Sequence, residues 1–374
     1  MYIYSMDVYR PFIQVVQRIR HFLFREHGPG TLPEHAPVLR NIRWEYVNSS
    51  DNLPDWLTNH TELIFDPTSI TKENIIGSGY FSNVYAGILH YNHHSRCNVA
   101  IKIPKQLSDA ETFLPEAEFM IKVDEYNNNL VNLQGIIYKT SPCTGKLTDY
   151  ALLLEYCHLG QLRAYLVAHR HDFKAIDQNS LSHAYCLDGF PHIWSGNRIH
   201  HAVELLLTWS YQVANGMEFL ASRSMCHGDL AARNILLTEK FVAKVSDFGH
   251  SKTDNNDHHM KAQSINTRLK QPFKWQALET LTDGLISTKS DVWSYGVLLW
   301  EMYNFGDHPW PGMGLQEVTN TLSSGIRLPL PEQWPKTLIR LIENCWLKNN
   351  DERPSFAEIK SILGKNFQCR HCRK

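Results

Sequence analysis

An α+β chain, strand-rich at first and helix-rich in a larger second part, is what this sequence predicts. Three observations carry that prediction. Residues 82–89 and 98–103 are short β-like runs, and in the second Val99, Ile101 and Ile103 alternate with Ala100 and Lys102. That period of two belongs to a strand with one buried face. Between Glu204 and Leu220, the residues Leu206, Leu207, Val213, Met217 and Leu220 fall into one amphipathic helical stripe. Ser290–Tyr303 is apolar nearly all round, which marks a helix buried at the centre of a large lobe.

Taken in chain order, residues 10–25 place Phe12, Val15, Val16, Ile19, Phe22 and Leu23 at helical spacing among four arginines. Such a basic amphipathic helix suits a membrane surface or a docking role. From Gly28 to Pro67 periodicity fades and Pro, Asn, His and Asp accumulate, the signature of a linker. Beyond Thr68 come the two β-like runs, a helix pattern at Ser108–Val123 and an apolar strand at Ala151–Glu155. A polar, His- and Gly-containing stretch at 172–199 interrupts the helical part as a surface insertion. Cys369 and Cys372 form a lone CxxC in the tail at 367–374. Half a zinc site and an unstructured end are the two readings of it, with no second pair nearby.

Composition narrows the classes. Lys+Arg 37 against Asp+Glu 38 leaves a net charge of −1, which argues against a general nucleic-acid binder. Hydrophobic content of 43% and charged content of 20% belong to a folded globular protein, not a disordered one. No apolar run reaches the roughly 18 residues of a spanning helix. Met1–Phe24 has charges and no cleavage site, so it does not look like a signal peptide. Eight scattered cysteines fit a reducing compartment better than a disulfide scaffold. The chain as given is therefore expected to be soluble and cytoplasmic.

Chemistry concentrates in four ordered segments. GSGYFSNV supplies Gly77 and Gly79, with Ser82 where a third glycine would fit, then Val84. Glycines allow backbone N–H groups to close over phosphates. VAIK ends at Lys102, HGDLAARN runs from His227 to Asn234, and DFG from Asp247 to Gly249. Four such motifs in this order resemble the protein kinase family over roughly residues 70–366. The resemblance implies a bilobal kinase fold: a small antiparallel-sheet N-lobe with one main helix at about 68–154, a hinge at 155–160, and a large, mostly helical C-lobe at 161–366. It also implies ATP and Mg²⁺. By the family template, Lys102 holds the α- and β-phosphates and pairs with Glu116, with Glu118 as competitor. Asp247 and Asn234 hold the metal, and Asp229 takes the substrate hydroxyl proton with Arg233 beside it. Val84 and Ala100 above, and Leu236 below, would enclose adenine, with Leu154 as gatekeeper and Glu155 and Cys157 presenting hinge backbone.

Ala231 stands where Ser/Thr kinases usually carry a lysine, and the LAARN loop and PFKW (Pro272–Trp275) resemble tyrosine kinases. SDVWSYGVLLWEM, PWPGM and CW resemble receptor tyrosine kinases, and Arg353 is expected to pair with Glu279. EYCHLGQLRAYL and the insertion after it are similar to the platelet-derived, vascular endothelial and fibroblast growth factor receptors. NIRWEYV (Asn41–Val47) resembles the juxtamembrane region of the first of these. The implied partners are tyrosine-containing proteins, self-association, and an SH2 adaptor at phosphorylated Tyr46, for which a merely packed tyrosine is the competing reading. Membrane attachment would come only through a separate spanning segment.

The sequence also departs from the pattern. Gly228 replaces the arginine that normally receives an activation-loop phosphate, and no tyrosine occurs from Asp247 to Glu279. Pro115 precedes Glu116. Either the helix is displaced and Glu116 misses Lys102, or the helix starts late and Pro115 sits in its first turn. An active tyrosine kinase and a nucleotide-binding pseudokinase scaffold are the two functions these features leave open.

Overall fold

The computed structural model describes residues 53–368 apart from 80, 92–94, 108–109, 124–126, 142, 145, 175–197, 254–271 and 333. The helix expected at 10–25, Asn41–Val47, Tyr46, the Cys369–Cys372 motif and most of the expected insertion lie outside the described residues. The chain divides into two compact units, one built from the described part of 1–118 with 133–156, the other from 119–132 and 157 onward.

The first unit is a six-stranded sheet in the order β1-β5-β6-β4-β3-β2. Its strands are β1 (Ile64–Phe65), β2 (Ile70–Ser78), β3 (Ser82–His90), β4 (Arg96–Pro104), β5 (Leu133–Thr140) and β6 (Leu147–Glu155). The alternation read at 99–103 is realised. Val99, Ile101, Ala151, Leu153 and Ile137 form one buried face, with Ile103 packed against it. The antiparallel sheet expected for this unit is present through β2–β6, with two additions at its edge. The sheet is mixed, because β1 pairs parallel with β5 through Ile64↔Ile136 and Phe65↔Ile137. The supposed linker also ends in structure: a short helix α1 (Asp55–Thr58) buries Leu57, and Phe65 packs edge-on against Tyr91. A Cβ at Gly135 would fall 2.5 Å from the Phe65 ring, so that glycine is what admits β1 to the sheet edge.

Helix α2 (Ala110–Lys122) carries Pro115 in its interior; the division between units falls after Glu118.

The second unit is mostly helical: α3 (Leu162–Ala168), α4 (Arg170–Lys174), α5 (Arg198–Ala221), α6 (Leu278–Asp283), α7 (Thr288–Tyr303), α8 (Leu315–Ser323), α9 (Lys336–Cys345) and α10 (Phe356–Gln368). Every residue of α7 from Ser290 to Tyr303 is buried, as its all-round apolar character predicts. Ser287 opens it with a capping box shared with Ser290. Gly296 permits the close approach of α9, since a Cβ there would lie 2.8 Å from Cys345 Cβ and 2.7 Å from Trp346 Nε1. The insertion starts later than 172, because α4 buries Phe173 against Phe305 and Trp209. The tail likewise starts later, with α10 reaching Gln368. Two small sheets, β7-β9-β10 (Gly160–Gln161, Ile235–Leu237, Ala243–Val245) and β8-β11 (Met225–Cys226, Lys252–Thr253), frame the loop at 227–234.

Candidate active site

In the first unit, register builds one functional face. Val84 lies opposite Lys102 across β3–β4, and Ala100 lies opposite Leu154 across β4–β6, all on one face, while Val99 and Glu155 pair on the other. Lys102 is buried and donates from Nζ to both oxygens of Glu116, at 2.8 and 2.7 Å. Glu116, 2% exposed, is therefore a buried partner of Lys102. Neither outcome foreseen for Pro115 occurs. The proline is the sixth residue of α2, past the first turn, yet the Glu116 pair forms. Pro115 lies on the exposed side while Glu116 faces inward. Tyr150 also donates to the carbonyl of Phe113 at 3.2 Å, and the Lys102 ammonium lies 5.5 Å from the Phe113 ring centroid. These contacts hold the first half of α2 where propensity alone would let it bend.

The glycine turn is ordered through Gly79 N–H to Ser82 C=O at 2.8 Å and Ser78 Oγ to Asn83 Oδ1 at 2.9 Å. A Cβ at Gly77 or Gly79 would make only ordinary contacts, at 3.6 and 3.7 Å. Packing within this unit does not require either glycine, which leaves the close approach of an outside group as their use. Ser82 is buried and replaces the third glycine without disturbing the strand.

In the second unit, Asp229 Oδ1 is ion-paired to Arg233, and Oδ2 accepts from Asn234 Nδ2 at 2.8 Å. The same Asn234 nitrogen donates to the Asp229 carbonyl at 2.7 Å. That fixes the amide's orientation and leaves its oxygen as the face a cation would meet. Burial raises the Asp229 carboxyl above its ordinary value against the opposing pull of Arg233, the direction that makes a carboxylate a better proton acceptor. Asp247 has an exposed side chain and a left-handed backbone, φ 64°. For a non-glycine residue this is a strained conformation of the kind found at functional positions. Phe248 is buried between Phe119 and His227, ring centroids 5.5 and 5.6 Å away. Leu236 is half-exposed between the fully buried Ile235 and Leu237. Cys157 is buried and its carbonyl accepts from Gly160 N–H at 3.1 Å. Arg353 pairs with Glu279 through two bonds of 2.5 and 2.9 Å, as expected.

Sequence reading missed what holds the loop. Asp291 of α7, 1% exposed, accepts His227 N–H at 2.7 Å and Gly228 N–H at 2.9 Å. Burial pushes its carboxyl up to about 7. Glu301, also in α7, accepts Ala232 N–H at 2.9 Å and Trp275 Nε1–H at 2.7 Å; burial pushes it to about 7 as well. Trp275 lies under the Arg233 guanidinium at 4.4 Å. The His227 ring donates from Nε2 to Ser246 C=O and accepts Asp229 N–H on Nδ1, at 3.0 and 3.2 Å. Both nitrogens are thus used in the neutral form, and burial drives its pKa down to about 4. The available signal was two carboxylates inside an otherwise apolar helix, since buried acids demand donors.

Gly228 has φ +77°, and a Cβ there would sit 2.8 Å from the His250 carbonyl oxygen. Glycine is required both for the left-handed turn and for this approach. Next to it Ser251 Oγ donates to His227 C=O at 3.2 Å, and Lys252 and Thr253 pair with Cys226 and Met225.

A lysine–glutamate pair in a strand–helix unit, together with the organised Asp229–Asn234 loop and Asp247, defines a protein kinase domain. The chain belongs to the protein tyrosine and serine/threonine kinase family, whose profile matches residues 70–363. It is similar to vascular endothelial growth factor receptor 1 of Gallus gallus, 33% identical over 315 residues, and to those of Rattus norvegicus and Homo sapiens, each 33% identical over 314. Each alignment covers 72% of this chain and 23% of the receptor, so the chain spans about a quarter of those relatives. No helix among the described residues is long and apolar enough to cross a membrane.

Proposed function

We propose that the chain is an active tyrosine kinase, transferring the γ-phosphoryl group of ATP to tyrosine hydroxyls of proteins in receptor-type signalling. The observation that carries this is the state of Asp229: buried, oriented by Arg233 and Asn234, and shifted toward a stronger base. Asp229 accepts the tyrosine proton as the oxygen–phosphorus bond forms and the bond to ADP breaks. Lys102, fixed by two bonds to Glu116, orients the α- and β-phosphates, and the backbone at Gly77 and Gly79 approaches them closely. Asn234 Oδ1 and Asp247 are the groups that would hold Mg²⁺, which when bound neutralises phosphate charge. Val84, Ala100, Glu155, Cys157 and Leu236 would receive adenine. Ala231 and the Arg233–Trp275 stack favour tyrosine over serine as the acceptor.

The loop at 227–234 is supported from within by Asp291, Glu301 and the contacts around Gly228, so we read activity as independent of a phosphotyrosine in 247–279. A position at the cytoplasmic face of a membrane, self-association and an adaptor at Tyr46 belong to the same reading. The test is phosphotransfer to a tyrosine peptide with MgATP. Wild type should label tyrosine, with Asp229→Asn slower by about 10³-fold or more. Equal rates would leave the nucleotide-binding scaffold as the function.

A further inference from the structure

We propose that Tyr150 is a positioning residue of this site: its hydroxyl, bonded to the Phe113 carbonyl, holds α2 across the break at Pro115 and so keeps Glu116 against Lys102. The proposal rests on the kinase reading, in which Lys102 meets the nucleotide phosphates, and adds what keeps Lys102 and Glu116 together in this chain. All these residues belong to the first unit. Pro115 creates the need. A proline in a helix interior has no N–H for the carbonyl four residues earlier, here that of Glu111, and its ring crowds that carbonyl. Helix α2 is therefore weakest between the turn that carries Phe113 and the turn that begins at Glu116. Any bend at the proline swings the Glu116 carboxylate relative to β4. The two bonds from Lys102, at 2.8 and 2.7 Å, leave little room for that swing.

Tyr150 grips the weak side of the break from the sheet. On β6 it lies two residues from Leu152, which pairs with Lys102 across β4–β6. The register that sets the Lys102 side chain on one face thus sets Tyr150 on the same face. Tyr138 lies opposite Tyr150 on β5, with the two rings edge-on at 6.4 Å and 86°, which fixes the direction of the phenol. The Tyr150 side chain is buried, and its hydroxyl donates to the Phe113 carbonyl at 3.2 Å, two residues before the proline. Burial, with the Glu116 charge adding to it, raises the hydroxyl above its ordinary pKa, so it remains a donor. Phe113 thereby joins both partners: its carbonyl is held by Tyr150, and its ring centroid lies 5.5 Å from the Lys102 ammonium. The bond matters because the helix is broken. With a residue at 115 that carries an N–H, α2 holds Glu116 through its own ladder and the Tyr150 hydroxyl becomes dispensable.

Coupling between the two positions tests this. Wild type, Tyr150→Phe, Pro115→Ala and the double variant are compared for MgATP affinity by titration calorimetry, for urea midpoint, and for KM and kcat on a tyrosine peptide. Tyr150→Phe keeps the ring and removes only the hydroxyl, and a cooperative urea transition confirms that each variant is folded. Tyr150→Phe should weaken MgATP binding about fivefold and raise the KM for ATP by a similar factor, more than it lowers kcat. Pro115→Ala should stay within about twofold of wild type, and the double variant within about twofold of Pro115→Ala. A bond with a structural role alone would lower the urea midpoint in both backgrounds and leave affinity unchanged. An affinity of Tyr150→Phe within about twofold of wild type, or a deficit that persists in full in the double variant, overturns the proposal. So does a wild type that binds no MgATP. If the affinities follow the predicted pattern while no peptide is phosphorylated, Tyr150 keeps its role and the kinase reading falls.

Discussion

Two buried carboxylates organise the two units, and they do so differently. Glu116 is 2% exposed and answers a side-chain ammonium; Asp291 is 1% exposed and answers two backbone N–H groups. A pair of side chains fixes one contact and is undone by changing either partner. A carboxylate bonded to successive amides dictates the path of the chain itself, here the turn at His227–Gly228 that delivers Asp229. The first arrangement fixes the Lys102 ammonium, and the second builds the loop that carries Asp229.

Asp291→Ala should break the comparison most severely. It strands two amides, one buried and one part-buried, each costing about 1–3 kcal/mol, so the urea midpoint should fall by the equivalent of about 2–6 kcal/mol and turnover should be lost with it. A variant within about 0.5 kcal/mol of wild type would contradict the role given to Asp291. Glu116→Gln supplies the contrast, since it should impair use of ATP out of proportion to its effect on stability.

His227 sharpens the comparison through pH. Its folded pKa is about 4 against an ordinary 6.5. Below 6.5 the unfolded chain takes up a proton that the folded chain refuses, so the stability this residue contributes is full above 6.5 and is lost as pH falls toward 4. That loss is about 3 kcal/mol. Asp291 and Glu301, raised to about 7, have the opposite sign: they favour the folded state as pH falls from 7 toward 4. The quantity to measure is therefore the difference between wild type and His227→Gln in denaturant titrations from pH 8 to 4, which should narrow across that window. A constant difference would mean that His227 takes up its proton equally in the folded and the unfolded chain.

The smallest expected effect belongs to α2. Pro115→Ala restores a helix bond on an exposed face and should stabilise the chain by about 1–3 kcal/mol. The KM for ATP should hardly change, because Lys102 already reaches Glu116. A large fall in that KM would show that the proline weakens the pair.

Much of this was legible in sequence because the relevant signals are local. Lys102 announces itself at the end of an alternating strand, and Asp229, Asn234 and Asp247 lie in short motifs with the right order. The mainstays of the loop were not legible. Asp291 and Glu301 bond to amides 63 to 69 residues away, and a backbone amide has no letter of its own. Strand β1 is two residues long, too short for any period to show. At Pro115 propensity was the wrong guide, because the buried Lys102–Glu116 pair and the Tyr150–Phe113 bond outweigh a missing helix bond. Gly228 looked like the loss of a phosphate receiver. In the fold it is the residue that allows the loop to meet the His250 carbonyl.

The central claim, an active tyrosine kinase whose catalytic loop is assembled without an activation-segment phosphotyrosine, is tested by the time course of peptide phosphorylation from phosphatase-treated protein. The account predicts product formation that is linear from the first turnovers, lost in Asp229→Asn, with no phosphate in 247–279 that changes the rate. A lag removed by preincubation with MgATP, accompanied by a phosphate within 247–279, would contradict it.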